Sequence, residues 1–197
     1  MLTKAEKTKK HIIQTVAPLF NQKGYAATSM RDITLATGLT KGAIYGNFEN
    51  KEALAAAAFK ANINKLLQRV ATHQLGTSSP LGKLFLITDF YRHYYENSKP
   101  LGGCPILNIG VDAKHQDSPL LDMVCKVIKK TQLHIENLVL QAQETNELST
   151  SLSAQSFAKT MYGSIQGAIF MMQTLDDPSY LTEAANSLES ALNQHKI

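Results

Sequence analysis

The 197-residue chain has only two cysteines, Cys104 and Cys125, which are too few for a disulfide framework. No run approaches the roughly 18 apolar residues that a membrane-spanning helix needs. The lysine-rich start and the apolar stretch at residues 11–20 resemble a signal peptide only faintly, because Gln14 and Thr15 interrupt it and no small-residue cleavage site follows. These absences favour a cytoplasmic protein.

The sequence also lacks long alternating strand patterns, internal repeats and low-complexity tracts. Apolar residues recur instead at spacings of three and four, which is typical of helices. We therefore predict an all-α protein of about nine helices. The longer ones are expected at residues 4–23, 51–73, 81–97, 105–114, 120–144, 155–175 and 181–194, with two shorter helices between residues 29 and 48.

Positive charge is concentrated in the N-terminal third. Residues 1–60 hold nine Lys/Arg and four Asp/Glu, a balance of +5, whereas the remainder holds eleven and twelve, a balance of −1. This asymmetry favours a face that meets a polyanion, although excess lysine alone more often marks a solvated surface. The lysines at residues 4–10 either follow a DNA backbone or belong to a frayed terminus.

The most informative stretch is residues 28–52. Ser29 is followed three residues later by Asp32, which is close to a capping-box pattern at a helix start. Gly38 is typical of the residue that follows a helix end. A short helix that stops at this glycine is therefore predicted.

A second short helix follows the glycine. Thr40 can cap it, and Ile44 and Phe48, four residues apart, share its buried side. Lys41, Ala43 and Asn47 then face outward. Two short helices joined by a tight turn form a helix-turn-helix, which places its second helix in the DNA major groove.

Residues 37–40 (TGLT), 42–45 (GAIY) and 50–52 (NKE) resemble the TetR family of bacterial transcriptional regulators. The match is strong over about residues 10–55 and elsewhere concerns only length and helical layout. Gly46 departs from the family pattern, which often has a bulky residue there. The resemblance implies a DNA-binding domain at residues 1–50 and a helical effector-binding and dimerisation domain at residues 51–197.

The predicted DNA interface combines groups for phosphates with groups for base edges. Hydroxyl, phenol and ammonium groups suit phosphates, and Arg31 or Lys41 can donate to guanine. The resemblance implies phosphate contacts for Thr40, Tyr45 and Lys51, although caps and packing would explain the hydroxyls and the phenol equally. The full set is Thr28, Ser29, Arg31, Thr40, Lys41, Gly42, Ala43, Tyr45, Asn47 and Lys51.

Two further sites are expected in the C-terminal part. Aromatic residues and apolar neighbours either line an effector cavity or form plain core. The set is Phe59, Ile63, Phe85, Phe90, Tyr91, Tyr94, Cys104 and Leu107. Glycines four residues apart allow close helix approach, either across a dimer seam or within the chain. The seam set is Gly163, Gly167, Phe170, Met171, Leu188 and Leu192.

Cys104 precedes Pro105, at the predicted start of a helix. A helix N-terminus favours thiolate, and some TetR-like regulators that sense electrophiles carry Gly-Cys at a similar place. The alternative is a small buried apolar residue.

We predict a ligand-responsive repressor that binds a palindromic double-stranded DNA operator as a homodimer and is released by an unidentified small effector. Direct thiol sensing through Cys104 is one alternative, and a helical interaction module without DNA binding is another. No catalytic constellation appears, and the six histidines show no ligand spacing. We therefore assign no enzyme activity, metal or cofactor.

Overall fold

The computed structural model describes residues 2–98, 103–114 and 119–197, and these residues form helices without any β-sheet. The predicted all-α class is confirmed. None of the described helices is long and apolar enough to span a bilayer. Their bounds are α1 Lys4–Lys23, α2 Met30–Thr37, α3 Lys41–Tyr45, α4 Lys51–His73, a 3-10 turn Gln74–Gly76, α5 Pro80–Arg92, α6 Tyr94–Ser98, α7 Pro105–Lys114, α8 Pro119–Glu144, α9 Ala154–Leu175 and α10 Ser179–Gln194.

The described residues hold ten α-helices rather than about nine, because the helix predicted at 81–97 is two helices. His93 ends α5 with φ −97° and ψ 14°, and its Nδ1 lies 3.0 Å from the Asp89 carbonyl oxygen. No Gly or Pro lies at this break, and the apolar spacing continues through it. The sequence pattern therefore does not reveal the break. Residues 99–102 and 115–118, in the loops predicted before and after α7, lie outside the described residues.

The chain divides into two compact units. The first unit consists of Met1–Leu67 and Lys99–Val124, and the second consists of Gln68–Ser98 and Cys125–Ile197. The domain division predicted between residues 50 and 51 stays a prediction.

The first unit has a small core beneath its short helices. Apolar side chains of α1, α2 and α3 meet there, together with two buried phenylalanines. Thr37 lies on the buried side of α2 with Ile33, whereas Ala36 is exposed. The buried residues include Ile12, Val16, Phe20, Ile33, Ile44 and Phe48.

The second unit has a larger core, in which α10 packs against both α9 and α5. Glu189 joins α10 to α5 by side-chain hydrogen bonds. Its Oε1 accepts hydrogen bonds from the Thr88 hydroxyl at 2.7 Å and from Arg92 Nη2 at 2.8 Å. The α9 and α10 side chains in this core include Met161, Ile165, Ile169, Leu188 and Leu192.

Candidate nucleic-acid interface

A complete capping box starts α2. Asp32 N–H donates to Ser29 Oγ at 3.1 Å, and Ser29 N–H donates to Asp32 Oδ2 at 2.8 Å. Lys23 Nζ lies 2.8 Å from Asp32 Oδ1. The hydrogen bond from Lys23, followed by those from Ser29, holds the pKa of Asp32 far below its usual range. The carboxylate is therefore ionised and fixes the start of α2.

The turn between α2 and α3 depends on Gly38. Its φ of 68° and ψ of 14° place it in the left-handed region, and its N–H donates to the Thr34 carbonyl oxygen at 3.0 Å. The Thr37 hydroxyl donates to the Ile33 carbonyl oxygen at 2.7 Å and accepts from Leu39 N–H at 3.3 Å. These bonds turn the chain tightly into α3.

The five-residue helix α3 is held at both ends by side chains. Thr40 Oγ1 accepts from Ala43 N–H at 3.2 Å, and Asn47 Nδ2 donates to the Ala43 carbonyl oxygen at 2.9 Å. Ile44 anchors the inner side, where it is 1% exposed. Lys41 Nζ lies 5.8 Å from the centre of the Tyr45 ring, so these two side chains form one outward surface.

Most of the predicted interface residues are accessible. Ala43, Asn47 and Lys51 are half-buried, and the exposed ones are Ser29, Arg31, Thr40, Lys41, Gly42 and Tyr45. Thr28 requires a correction, because its side chain is fully buried and its hydroxyl donates to the Gly24 carbonyl oxygen at 2.7 Å. It has no surface to offer DNA, and we leave it out of the interface.

Two family models match the chain. "Bacterial regulatory proteins, tetR family" matches residues 12–58, and "Tetracyclin repressor-like, C-terminal domain" matches residues 80–188. The second match alone covers more than half of the 197 residues. The chain belongs to the TetR family. Members of the TetR family are DNA-binding transcription factors and not enzymes.

Solved and curated TetR-family proteins support this assignment. A regulator from Cytophaga hutchinsonii is 30% identical with a TM-score of 0.93, and covers 100% of this chain and 98% of its own. One from Chloroflexus aurantiacus is 32% identical with a TM-score of 0.93, at 99% and 98% coverage. The repressor DhaR of a Mycobacterium species is 24% identical, at 84% and 82% coverage.

Helices α1, α2 and α3 of this TetR-family chain form a unit that we call the head. Lys51, which follows the head at the start of α4, makes contacts to the chain itself. Its Nζ donates to the Tyr25 carbonyl oxygen at 2.7 Å and lies 4.5 Å from the centre of the Tyr25 ring. Burial lowers its pKa below the ordinary lysine value, against an opposing effect of Asp32. Lys51 therefore fixes the start of α4 against the loop after α1.

Sequence reasoning missed the contacts that α7 makes with the end of α1, which we call the α1–α7 junction. Tyr25 N–H donates to Asp112 Oδ2 at 2.9 Å, and Asn108 Nδ2 donates to the Asn21 carbonyl oxygen at 2.8 Å. Buried Asn21 Nδ2 donates in turn to the Gly103 carbonyl oxygen at 2.9 Å. These partners are more than 80 positions apart, and no local pattern indicates them.

The predicted effector residues divide between the two units. Phe59, Ile63 and Cys104 are buried in the first unit, where Leu107 is half-buried. Phe90, Tyr91 and Tyr94 are buried in the second unit, where Phe85 is half-buried. Phe90 and Tyr91 pack edge to face with their ring centres 5.2 Å apart. This packing suits an ordinary aromatic core as well as a cavity wall, so an effector role stays a prediction.

The predicted dimer residues fall into two groups. Gly163, Gly167 and Phe170 are exposed and Met171 is half-buried, and a Cβ built on either glycine would meet nothing within 4 Å. Leu188 and Leu192, in contrast, are 4% and 0% exposed. These two leucines require a correction, because α10 turns them into the core of its own chain. A dimer role for the outward face of α9 stays a prediction.

Proposed function

We propose that this TetR-family chain is a repressor that binds a palindromic operator as a homodimer and is released by a small effector. The observation that carries the proposal is the outward surface of α3, where Lys41, Gly42 and Tyr45 stand clear of the core while Ile44 anchors the helix from below. A short, capped helix with that exposure fits a major groove.

Within this proposal, each group has a role that follows from its chemistry. The hydroxyls of Ser29 and Thr40 and the phenol of Tyr45 bind phosphates, which fixes the register of the head on the duplex. Arg31 and Lys41 donate to guanine edges, and Ala43 contacts a thymine methyl group. The Asn47 amide already caps α3, so we assign it to positioning the helix. Lys51 positions the head in the same way.

The regulation rests on the α1–α7 junction. Asp112 accepts a hydrogen bond from Tyr25 N–H, and Asn108 donates one to the Asn21 carbonyl oxygen, so α7 is joined to the end of α1 and to the residue whose carbonyl oxygen Lys51 binds. An effector that favours one position of α7 therefore changes the population of the DNA-binding arrangement of the head. The affinity ratio of the effector for the two states sets the size of the response.

The homodimer is assigned to the outward face of α9. Its exposed residues repeat at alternating spacings of three and four, with glycines at the centre and Phe170, 56% exposed, beside them. A two-fold related copy can approach closely over the glycines and cover the phenylalanine ring. Two heads then read half-sites separated by about one or more helical turns.

The test is a gel shift with DNA from upstream of the gene, using Lys41→Ala and, as its control, Lys60→Ala on the exposed side of α4. Loss of a base contact at Lys41 should cost about 1–3 kcal/mol and relax sequence preference. Parent affinity should fall as salt rises, since phosphate contacts release counterions. If Lys41→Ala binds this DNA as tightly as Lys60→Ala does, α3 is not part of the interface.

Lys51→Ala separates direct contact from positioning. It is expected to weaken binding to all DNA sequences similarly and also to lower the melting temperature, because the Tyr25 carbonyl oxygen loses its donor. Unchanged melting together with weaker binding would instead assign Lys51 to a phosphate.

Thiol sensing receives less support, because Cys104 is 1% exposed and a thiol must be reached before it reacts. Cys104→Ser tests it: a variant that binds DNA but is no longer released by an electrophile would establish sensing. Normal release would end that alternative.

A further inference from the structure

A groove of about 310 Å³ lies in the second unit, lined by residues of the α4 end, the 3-10 turn, α5 and α8. None of the predicted effector residues lines it. Its volume is within the range of small-molecule sites. Its polar lining consists of a lysine, a histidine and three side-chain amides. Neither the sequence pattern nor the family assignment indicates this combination.

Gln74 organises the polar side of the groove. It is 7% exposed, its Nε2 donates to the Lys83 carbonyl oxygen at 3.3 Å, and its Oε1 lies 3.4 Å from His134 Nε2. That amide oxygen accepts, so the hydrogen-bond pattern places a proton on His134 Nε2. Burial, and then the charge of Lys83, holds the pKa of His134 below its ordinary value, so the imidazole is neutral at pH 7.

Positive charge in the groove has no acidic partner among residues 2–98, 103–114 and 119–197. No carboxylate there lies within ion-pair distance of Lys83, although the rest of α5 makes such pairs through Asp89 and Arg92. Asn137 and Gln141 add side-chain amides on the α8 side. A bound anion would give these donors the acceptor that the protein does not supply.

The remaining wall is apolar. Leu138 forms its floor at 4% exposed, and Leu75 stands at its rim with 80% of its surface exposed. A wholly inorganic ion would leave the Leu75 side chain in water. An anion with a compact apolar body would instead cover it and gain free energy from the apolar surface removed from water.

We propose that this groove binds a small organic carboxylate, whose charged group lies between Lys83 and the amides of Asn137 and Gln141 and whose apolar body lies against Leu75 and Leu138. The site goes beyond the proposed repressor function and does not depend on it. Its binding is measured on the protein without DNA, so the two proposals fail separately.

Benzoate is the probe, with benzamide as its uncharged counterpart and inorganic phosphate as an anion without an apolar body. Calorimetry on the full chain is expected to show one benzoate per chain, with benzamide and phosphate each at least tenfold weaker. The His134 ring protons should shift in the NMR spectrum as benzoate is added. Equal affinity for benzoate and benzamide, or the absence of saturable benzoate binding, overturns the proposal.

Lys83→Gln is expected to weaken benzoate about tenfold, because it replaces a charge-assisted contact with a neutral one. The matched control is Lys129→Gln, an exposed lysine of α8 that does not line the groove. Circular dichroism checks that both variants fold, and Asn137→Leu gives a second, uncharged change with the same expected direction. Parent-like benzoate binding by Lys83→Gln contradicts the assignment.

Discussion

The pair α2 and α3 and the pair α9 and α10 are both joined by short connections, but different forces hold them. The first two helices have eight and five residues and depend on Ser29, Gly38 and Thr40 at their ends. The second two have 22 and 16 residues and bury a continuous apolar stripe. Isolated helices of the first length are marginal in water, so their ends decide whether they form. The comparison indicates that caps specify α2 and α3, whose outward surface we propose to face DNA, while apolar burial holds the C-terminal helices.

The largest expected effect comes from the C-terminal pair. Leu192→Ala removes a side chain that is 0% exposed and should cost about 2–5 kcal/mol of the free energy of unfolding. Asn193→Ala, on the exposed side of the same helix, is the matched control. Urea unfolding followed by circular dichroism measures both. A cost below that of a single cap substitution would break the contrast between the two pairs.

A smaller cost is expected at the turn of the head. Gly38→Ala meets no atom within 4 Å, so its cost is conformational and should be about 1–2 kcal/mol for a left-handed residue. Gly42→Ala serves as the control, because Gly42 is an exposed glycine of α3 that does not have a positive φ. Thermal unfolding measures the loss. Parent-like stability of Gly38→Ala would mean that the turn does not require its left-handed conformation.

A third test uses pH. The pKa of Asp32 is lower in the folded state than its ordinary value of 3.8, so its contribution to stability is present above that value and is lost as pH falls through the folded pKa. Asp32→Asn should therefore melt below the parent at pH 7, and the difference should shrink below about pH 3.8. Melting curves across this range measure it. A difference that is independent of pH would assign the effect to shape rather than charge.

The smallest effect has the opposite sign. Gly46 has right-handed φ −71° and ψ −15°, and a Cβ there would meet its nearest atom, the Gly42 carbonyl oxygen, at 3.4 Å. Gly46→Ala should therefore stabilise the head by about 0.5–1 kcal/mol, because the unfolded chain loses freedom. Thermal unfolding checks the direction. A loss of stability would show that the end of α3 needs a conformation that alanine resists.

Local features could be predicted from the sequence because their causes lie within a few residues. Ser29 with Asp32, Gly38, and Thr40 are such cases, and each lies at the predicted helix end. The start of α7 at Pro105 and the end of α9 at Leu175 were also predicted correctly. Caps and backbone requirements act over three or four positions, which is the range that a single sequence reveals.

The features that the sequence did not predict depend on contacts that arise only in the folded chain. The hydroxyl of Thr28 is of the right type for a phosphate contact, but in the folded chain it donates to the Gly24 carbonyl oxygen. Leu188 and Leu192 were assigned to a seam because a helix with apolar residues does not reveal which neighbour covers them. The Asp112 contact joins positions 87 apart. These contacts are set by the packing between helices, which helical periodicity does not predict.

The peptide groups on the two sides of Tyr25 serve different helices: its N–H reaches Asp112 of α7, and its carbonyl oxygen receives Lys51 of α4. Both links therefore use atoms that every amino acid except proline possesses in full. Another amino acid at position 25 would therefore keep both hydrogen bonds and lose only the ring that lies against Lys51, whereas a proline would remove the bond to Asp112 outright.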